Sequence, residues 1–403
     1  MSTEDEIVIV GAGPVGLMLA NLLGLRRTSC LLVDRRTKLP EQSRAIGITP
    51  PSLSLLDSIG CANALIERGV PVKDAIVWDG RRKLGSITFR NLPGNHRLIL
   101  SVPQRETMRV LESRLRDWEC VRCENGVEFI GLASGGSRPN IRLRETRCSR
   151  EWIAKPALLI GCDGHSSAVR SSFGMRYYHK HYRASFSMAD FEDEPAMGPE
   201  AHLFFTDRGA VESFPLPGGL RRWIVQTGNG RDRLTLADLV DCVRGRTGVD
   251  LHGAESSDVS WFRPERLCCE RFCKGPVLLC GDAAHVMSPI GGQGMNTGFG
   301  DARLAAQIIS QYRGRELWPE QCSVYDHRRH RAFRFSADRA ALGMWIGTRR
   351  GSLSRLRTLL LHDFLLHGPF AAYLSRHFAM LTVPHGSRAL PNTTTIGGAW
   401  EGR

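Results

Sequence analysis

A short apolar run, Ile7-Val8-Ile9-Val10, passes directly into Gly11-Ala12-Gly13-Pro14-Val15-Gly16 and then into the apolar stretch Leu17 to Leu23. The glycines at the first, third and sixth positions of this loop have separate tasks. Gly11 permits a tight turn, Gly13 lets main chain approach a pyrophosphate, and Gly16 lets the following helix pack on the sheet; the free amino end of that helix attracts negative charge. A second strand, Cys30 to Val33, ends in Asp34, placed to accept hydrogen bonds from a ribose. Strand, glycines, helix and acid in this order restrict the chain to an α/β fold that binds a dinucleotide. Pro14, Val15 and Arg35 complete the loop and the strand end and are counted with the cofactor-binding residues.

The composition suits that frame. With 403 residues, 42% hydrophobic and 24% charged, the chain is long enough for a large core and two domains. The opening MSTEDE is acidic and no apolar run is long enough to span a bilayer, so a cytoplasmic protein with no signal peptide or transmembrane segment is expected. Twelve cysteines scattered through strands and helices read as reduced structural thiols rather than a disulfide framework. Cys120-Val-Arg-Cys123 has redox or metal spacing, but it falls where a helix gives way to a strand and lacks a matching second pair, so no metal site is expected. The formal net charge of +13 comes from dispersed basic residues without a recognition motif, which argues against nucleic acid and for attraction of anionic small molecules.

Beyond the first β-α-β unit the pattern changes. Residues 72–100 hold the alternating segments Ala75 to Trp78 and Ser86 to Phe89, broken by Asp79-Gly80 and Pro93-Gly94, as in antiparallel hairpins. Ser185 to Asp190, His202 to Phe205, Gly209 to Phe214 and Arg222 to Gln226 form a second sheet-like region, followed by a helix from Leu236 to Arg244. The expected architecture is α/β. A Rossmann-like domain from 1–71, 101–175 and 268–335 is interrupted by an antiparallel β-sheet domain from 72–100 and 176–267, and a C-terminal helical tail covers 336–403. In that tail Leu356, Leu360 and Phe364 share one helical stripe beside Arg349, Arg350, Arg355 and Arg357. Packing on the parent domain is its favoured use, with peripheral membrane contact as the alternative.

Near the carboxyl end lies GDAAHVMSPIGGQGMNTGFGDARLAA, Gly281 to Ala306. An apolar run ends at Leu278-Leu279; Gly281, Gly291, Gly292, Gly294 and Gly298 then allow unusual dihedrals and close backbone approach, and Ala302 to Ile309 read as a helix. Such a segment suits a flat ligand laid against main chain.

Three motifs in order, GAGPVG at 11–16, CDGHSSAVR at 162–170 and GDAAHVMSPIGGQGMNTGFGDA at 281–302, resemble those of the group A flavoprotein monooxygenases. These are the para-hydroxybenzoate hydroxylase family and its phenol and polyketide hydroxylase branches, and GGQGMN is closer to the latter branches. The resemblance implies FAD, NADPH or NADH as reductant, O2, and hydroxylation of a small aromatic or polyketide-like substrate through a flavin C4a-hydroperoxide. Epoxidation, oxidative decarboxylation or oxidative inactivation of a polyketide is the alternative, and a flavin-binding protein without turnover is a third reading.

Carried over by position, Gly11, Gly13 and Gly16 receive the FAD pyrophosphate and Asp34 the adenosine ribose. Arg44 matches an arginine that packs near the flavin, and Gln104 a glutamine that contacts the cofactor. Asp163 and Gly164 match a motif serving FAD and the nicotinamide donor together, with Arg170 as its charged support. Gly281 and Asp282 lie at the ribityl side, Pro289 beside the reactive edge of the ring, and Gly292, Gln293, Gly294, Met295 and Asn296 against its pyrimidine end. Reduced flavin is anionic at that end, so Gly292, Gln293 and Gly294 act through main-chain N–H groups. Pro289, Gly292 and Gly294 are thus the catalytic environment; no base is assigned, and His285 is read as a structural part of its turn. Phe204, Phe205, Phe214, Pro215 and Trp223 are candidate apolar walls for the substrate, with Arg221 or Arg222 as an anion partner, although alternating aromatics also suit a packed core.

Overall fold

The computed structural model describes residues 7–40, 45–133, 139–193, 197–228, 233–289, 291–311, 319–347, 358 and 366–384. Its central layer is a six-stranded sheet in the order Cys273–Lys274, Val277–Leu279, Leu158–Gly161, Ile7–Val10, Cys30–Asp34, Val121–Asn125. All pairings are parallel except that of Cys273–Lys274 with Val277–Leu279. Every residue of Ile7–Val10, Cys30–Asp34, Leu158–Gly161 and Val277–Leu279 is buried. Both faces are covered, which is why these strands are unbroken apolar runs instead of alternating ones.

The register matters most for function. Val10 pairs with Gly161, and Gly161 with Leu279. The three glycine-bearing motifs, far apart in the chain, therefore leave the carboxyl ends of three adjacent parallel strands, the edge where open α/β sheets bind ligands. The helices that follow two of them, Pro14–Leu25 and Gln293–Ile309, pack together through glycine. A Cβ at Gly298 would lie 2.5 Å from Val15 Cγ2 and one at Gly281 2.9 Å from the same atom, so neither position admits a side chain. The Pro14–Leu25 helix is also held by a buried amide: Asn21 Nδ2 donates to Leu17 O and Leu111 O at 2.9 Å, and Asn21 Oδ1 accepts from Trp118 Nε1 at 2.9 Å.

A seven-stranded sheet forms the second layer, in the order Ser260–Phe262, Phe186–Glu192, Leu220–Gln226, Gly209–Leu216, Ala201–Thr206, Asp74–Asp79, Arg82–Thr88. The early hairpin joins it through a parallel pairing of Asp74–Asp79 with Ala201–Thr206. One face is covered by the helix Leu236–Thr247, capped by a Thr235–Asp238 capping box. Between the two large sheets stands a small one of Gly47–Ile48, Ile99–Ser101 and Val70–Val72.

Some expectations need correction. The helix placed at Ala302 starts at Gln293, so GGQGMN is a helix entry and Gly294, Gly298 and Gly300 lie inside the helix. Gly298 admits Val15 and Gly300 admits Arg329, whose Nη2 would be 3.0 Å from a Cβ there. One helix, Pro319–Gly347, runs across the expected start of the tail at 336. Ten cysteines are free thiols, and Cys273 and Cys322 are brought together, with their Cα atoms 5.6 Å apart. The helix brings Cys322 against the sheet edge, a proximity that a separation of 49 residues does not announce. The stripe Leu356, Leu360 and Phe364 with its arginines lies outside the described residues, and among these no helix is long and apolar enough to cross a membrane.

Gly16 offers the direct test of the first turn. A Cβ there would lie 1.9 Å from Gly11 O. Gly16→Ala is expected to lower stability by about 2 kcal/mol or more, measured as a fall in the urea midpoint with unchanged slope.

Candidate cofactor site

The fingerprint turn is shaped by two kinds of glycine. Gly11 has φ of 105°, and a Cβ on it would lie 2.5 Å from Cys162 O, so the first motif packs directly on the second. Gly13 and Gly294 differ: neither has a positive φ, and beyond the adjoining backbone a Cβ on either would meet no atom within 4 Å among the described residues. Fold packing does not require glycine there, whereas close approach of a ligand to main chain does. Both stand at helix amino ends. Gly13 caps Pro14–Leu25, and Gly294 follows the cap Gly292 (φ 64°) of Gln293–Ile309; neither helix has a side-chain cap or an acidic residue in its first turn. Their free N–H groups and positive dipole ends face the same edge of the sheet and suit anionic groups.

Two buried polar atoms in this cradle have no partner among the described residues, Asp163 Oδ1 and Gln293 Oε1. Asp163 Oδ2 accepts from Val169 N at 3.0 Å, so one oxygen holds its own turn and the other is available. An unsatisfied buried oxygen costs about 1–3 kcal/mol, which a ligand donor would recover. Arg170, buried, donates from Nη1 to Ala283 O at 3.0 Å and from Nη2 to His165 O at 2.7 Å. It therefore ties the second motif to the third, while its buried Nε has no hydrogen-bond partner among the described residues.

The third motif is anchored from behind by Asp301. This fully buried carboxylate accepts from Gly281 N at 2.8 Å, pairs with His285 Nε2 at 2.7 Å through the same oxygen, and receives Arg329 Nε on the other. Burial works to raise its pKa, but Arg329 and His285 outweigh that and bring it down to about 2. Arg329 Nη2 also donates to Thr297 O at 2.9 Å. His285 stacks on Phe333, with ring centroids 4.9 Å apart, and is spent on this anchor.

Other expected residues take particular places. Asp34 accepts from Ala12 N at 2.7 Å and from Arg36 through N, Nε and Nη2 at 2.8–2.9 Å. Burial pushes its pKa up, yet the Arg36 bonds prevail and hold it below the usual carboxylate range. Arg36, not the exposed Arg35, is its partner, a residue the sequence reading passed over. The Asn296 side chain faces the small sheet: Nδ2 donates to Gly47 O at 2.9 Å, and Oδ1 accepts from Thr49 N and Oγ1 at 3.0 and 3.1 Å. Gln104 Oε1 accepts from Ala45 N at 3.4 Å. Pro14 and Val15 open the first helix, Gly164 (φ 80°) faces open space, Met295 packs against the main core, and Asp282 and Pro289 are exposed. Arg44 lies outside the described residues.

The proposed substrate walls separate by face. Phe204 and Trp223 are buried with Val211, Leu239 and Val243 beneath the helix Leu236–Thr247, with Phe204 and Trp223 rings stacked at 6.1 Å; they are core, not pocket. Strand alternation decides this, since His202 and Phe204 point to the helix while Leu203 and Phe205 point away. Arg221 and Arg222 are spent on Asp193 and Asp190. Pro215 contributes its carbonyl, which accepts from Ser101 Oγ at 2.6 Å. Phe205 and Phe214 are half-buried on the opposite face, packed against a cluster that includes Val72, Ala75, Leu84, Ile87 and Leu366 beside the helix Gly368–Phe378, and on the same face lies Glu212, opposite Leu203 and Ile224. Glu212 is 8% exposed and has no hydrogen-bond or charged partner among the described residues; burial pushes its pKa up to about 7. A glutamate at an alternating strand position has no sequence mark of this role.

The family described as FAD binding domain matches residues 4–340. This chain belongs to that family. The cradle fits such a group: two uncapped helix ends, glycines with no packing role and two orphaned oxygens meet at one edge. The chain is 33% identical over 316 residues to 6-methylpretetramide 4-monooxygenase of Streptomyces rimosus, covering 77% of this chain and 56% of that protein. It is 30% identical over 338 residues to pentachlorophenol 4-monooxygenase of Sphingobium chlorophenolicum, covering 81% and 62%. The chain thus spans less than two thirds of the length of these curated relatives. Its fold matches that of p-nitrophenol 4-monooxygenase from Pseudomonas putida DLL-E4, with a TM-score of 0.85 at 19% identity, covering 96% of this chain and all of that one.

Asp301→Asn leaves Arg329 buried without its counter-charge and is expected to destabilise the fold by about 3 kcal/mol, read from denaturant unfolding. Because the folded-state pKa of Asp301 is depressed, its stabilisation is present above about pH 4 and lost as pH falls towards 2. The wild type is expected to lose more stability over that interval than the variant.

Proposed function

We propose that this chain is a FAD-dependent monooxygenase that uses NADPH or NADH and O2 to hydroxylate a small aromatic or polyketide-like molecule. The observation that carries the reading is the convergence of three glycine motifs at the carboxyl ends of adjacent strands, with Gly13 and Gly294 open to a ligand. The named monooxygenase relatives point the same way. When bound, FAD would supply the redox and oxygen-activating chemistry. The chain's own part is to hold and polarise it.

In this reading the N–H groups after Gly13 receive the pyrophosphate, and those of Gln293 and Gly294 oppose negative charge at the pyrimidine end of the ring. Asp163 Oδ1 and Gln293 Oε1 accept cofactor donors, and Asp34, with Arg36 beside it, meets the ribose. The central parallel sheet and its helices form the cofactor domain, and the seven-stranded sheet presents the face opposite the helix Leu236–Thr247 to the substrate. A chain of contacts joins the two: Asn296 holds Gly47, Gly47 pairs with Ser101, and Ser101 holds Pro215. Glu212 lies three residues along that strand, about 10 Å away.

Glu212 is assigned to proton handling. A phenolic hydroxyl titrates near 10, so transfer to an ordinary glutamate near 4.3 is uphill by about six pH units, or about 8 kcal/mol. A glutamate at about 7 reduces this to about three units, or about 4 kcal/mol. The half-buried Phe205, Phe214 and Ile224, packed against neighbouring core clusters, would exclude water from it.

The purified protein is expected to be yellow, to release FAD on denaturation, and to oxidise NADPH or NADH faster with an aromatic ligand while placing labelled O2 oxygen in the product. A colourless protein that FAD cannot reconstitute would overturn the assignment. Gly13→Glu, which introduces a carboxylate where phosphate is placed, is expected to lose FAD with little change in the apoprotein's melting temperature. Glu212→Gln is expected to retain FAD but to lower kcat for a phenolic substrate by about 10²-fold above pH 7 and to remove the rise of activity with pH through 7.

A further inference from the structure

We propose that His165, His179, His181 and Glu265 form a binding site for a Zn2+-class divalent cation beside the Gly164 turn. His165 Nε2 lies 2.8 Å from Glu265 Oε1, and His179 Nε2 lies 2.7 Å from Glu265 Oε2. One donor atom from each of the three residues falls within 4.8 Å of the others. His181 Nδ1 is 3.7 Å from Glu265 Oε2, and its ring centroid is 4.4 Å from that of His179.

Strand geometry creates this grouping. His179 and His181 are alternate residues of Tyr177–His181 and so share one face; the register places His181 directly opposite Glu265 on the neighbouring antiparallel strand. His165 reaches the same face from the turn after Gly164. Three imidazoles and one carboxylate are a nitrogen and oxygen donor set suited to Zn2+ in tetrahedral geometry. Metal–donor bonds of about 2.0–2.1 Å set neighbouring donors about 3.3 Å apart, so the His165–Glu265 and His179–Glu265 contacts need open by only about half an ångström. His165 has an orienting neighbour as well: Nδ1 lies 3.3 Å from Ser166 Oγ, which suits a tautomer that leaves Nε2 for a metal.

A cation here would brace the second cofactor motif. His165 adjoins Gly164, and its carbonyl accepts from Arg170, whose guanidinium lies 4.7 Å from the ring of Tyr177 on the same strand as His179. The ion would join the turn and the strand by direct bonds where contacts between exposed side chains now do so. The site does not depend on the proposed hydroxylation, and its test is read from binding alone.

The test is equilibrium titration of the full chain, with its FAD, against Zn2+ in competition with a chromophoric chelator, together with the visible spectrum of the Co2+ form. One ion per chain is expected, with a tetrahedral Co2+ spectrum lacking a thiolate charge-transfer band. His179→Ala and Glu265→Gln are each expected to weaken binding at least about tenfold, while His96→Ala, which pairs with Asp57 elsewhere, leaves it unchanged. Thiolate bands in the wild type, tight binding that survives a His165→Ala/His179→Ala double variant, or no binding at 0.1 mM Zn2+ (roughly −5.5 kcal/mol) would each overturn the proposal. The ligands are surface residues, so melting temperatures without metal are expected to match the wild type and confirm folding.

Discussion

The cofactor cradle depends on one buried charge, Asp301. A carboxylate without solvent is costly unless every lone pair is used and a counter-charge is near, and here Gly281 N–H, His285 and Arg329 meet both conditions. Each partner belongs to a different piece of structure: the turn after a central strand, the short strand beyond it, and the long helix Pro319–Gly347. The pairing makes the carboxylate a fixed junction. It holds the Gly281 turn at the strand end and sets the helix beginning at Gln293, whose amino end faces the cradle. That a glycine, Gly300, makes room for the Arg329 guanidinium shows how closely this junction governs the local sequence.

Around that junction two uses of glycine divide the labour. Gly11, Gly16, Gly281 and Gly298 are required by protein atoms that already occupy the space of a side chain. Gly13 and Gly294 are required by no packing contact among the described residues. The first group brings three distant motifs to one sheet edge, and the second leaves main chain exposed there. Recognition of a dinucleotide follows from both together, since exposed main chain without a rigid edge would not align two helix ends on one ligand.

Legibility differed by residue for physical reasons. The parallel strands were readable because strands covered on both faces must be apolar throughout, and the fingerprint because each glycine meets a steric demand set by its near neighbours. The helix start at Gln293 was hidden by glycines of low helix propensity, which tertiary contacts with Val15 and Arg329 override. Phe204 and Trp223 looked like pocket walls because a strand's alternation shows that it has two faces, not which one the helix covers. Arg36 was missed beside Arg35 because only the geometry at the strand end decides which guanidinium can reach Asp34. Glu212 had no local mark at all, since its raised pKa comes from burial by residues distant in sequence.

By itself, the sequence determined a Rossmann-like α/β domain with a dinucleotide fingerprint, an inserted antiparallel sheet and a glycine-rich third motif, because these rest on local sterics and on hydrophobic periodicity. Tertiary structure alone decided which side chains act together: Asp301 with Arg329, Cys273 with Cys322, Glu212 on the face opposite the helix Leu236–Thr247, and three histidines on one glutamate. Such pairings depend on strand register and on helix placement across tens to hundreds of residues. A one-residue change of register would send each strand side chain to the opposite face, and no local pattern encodes that choice.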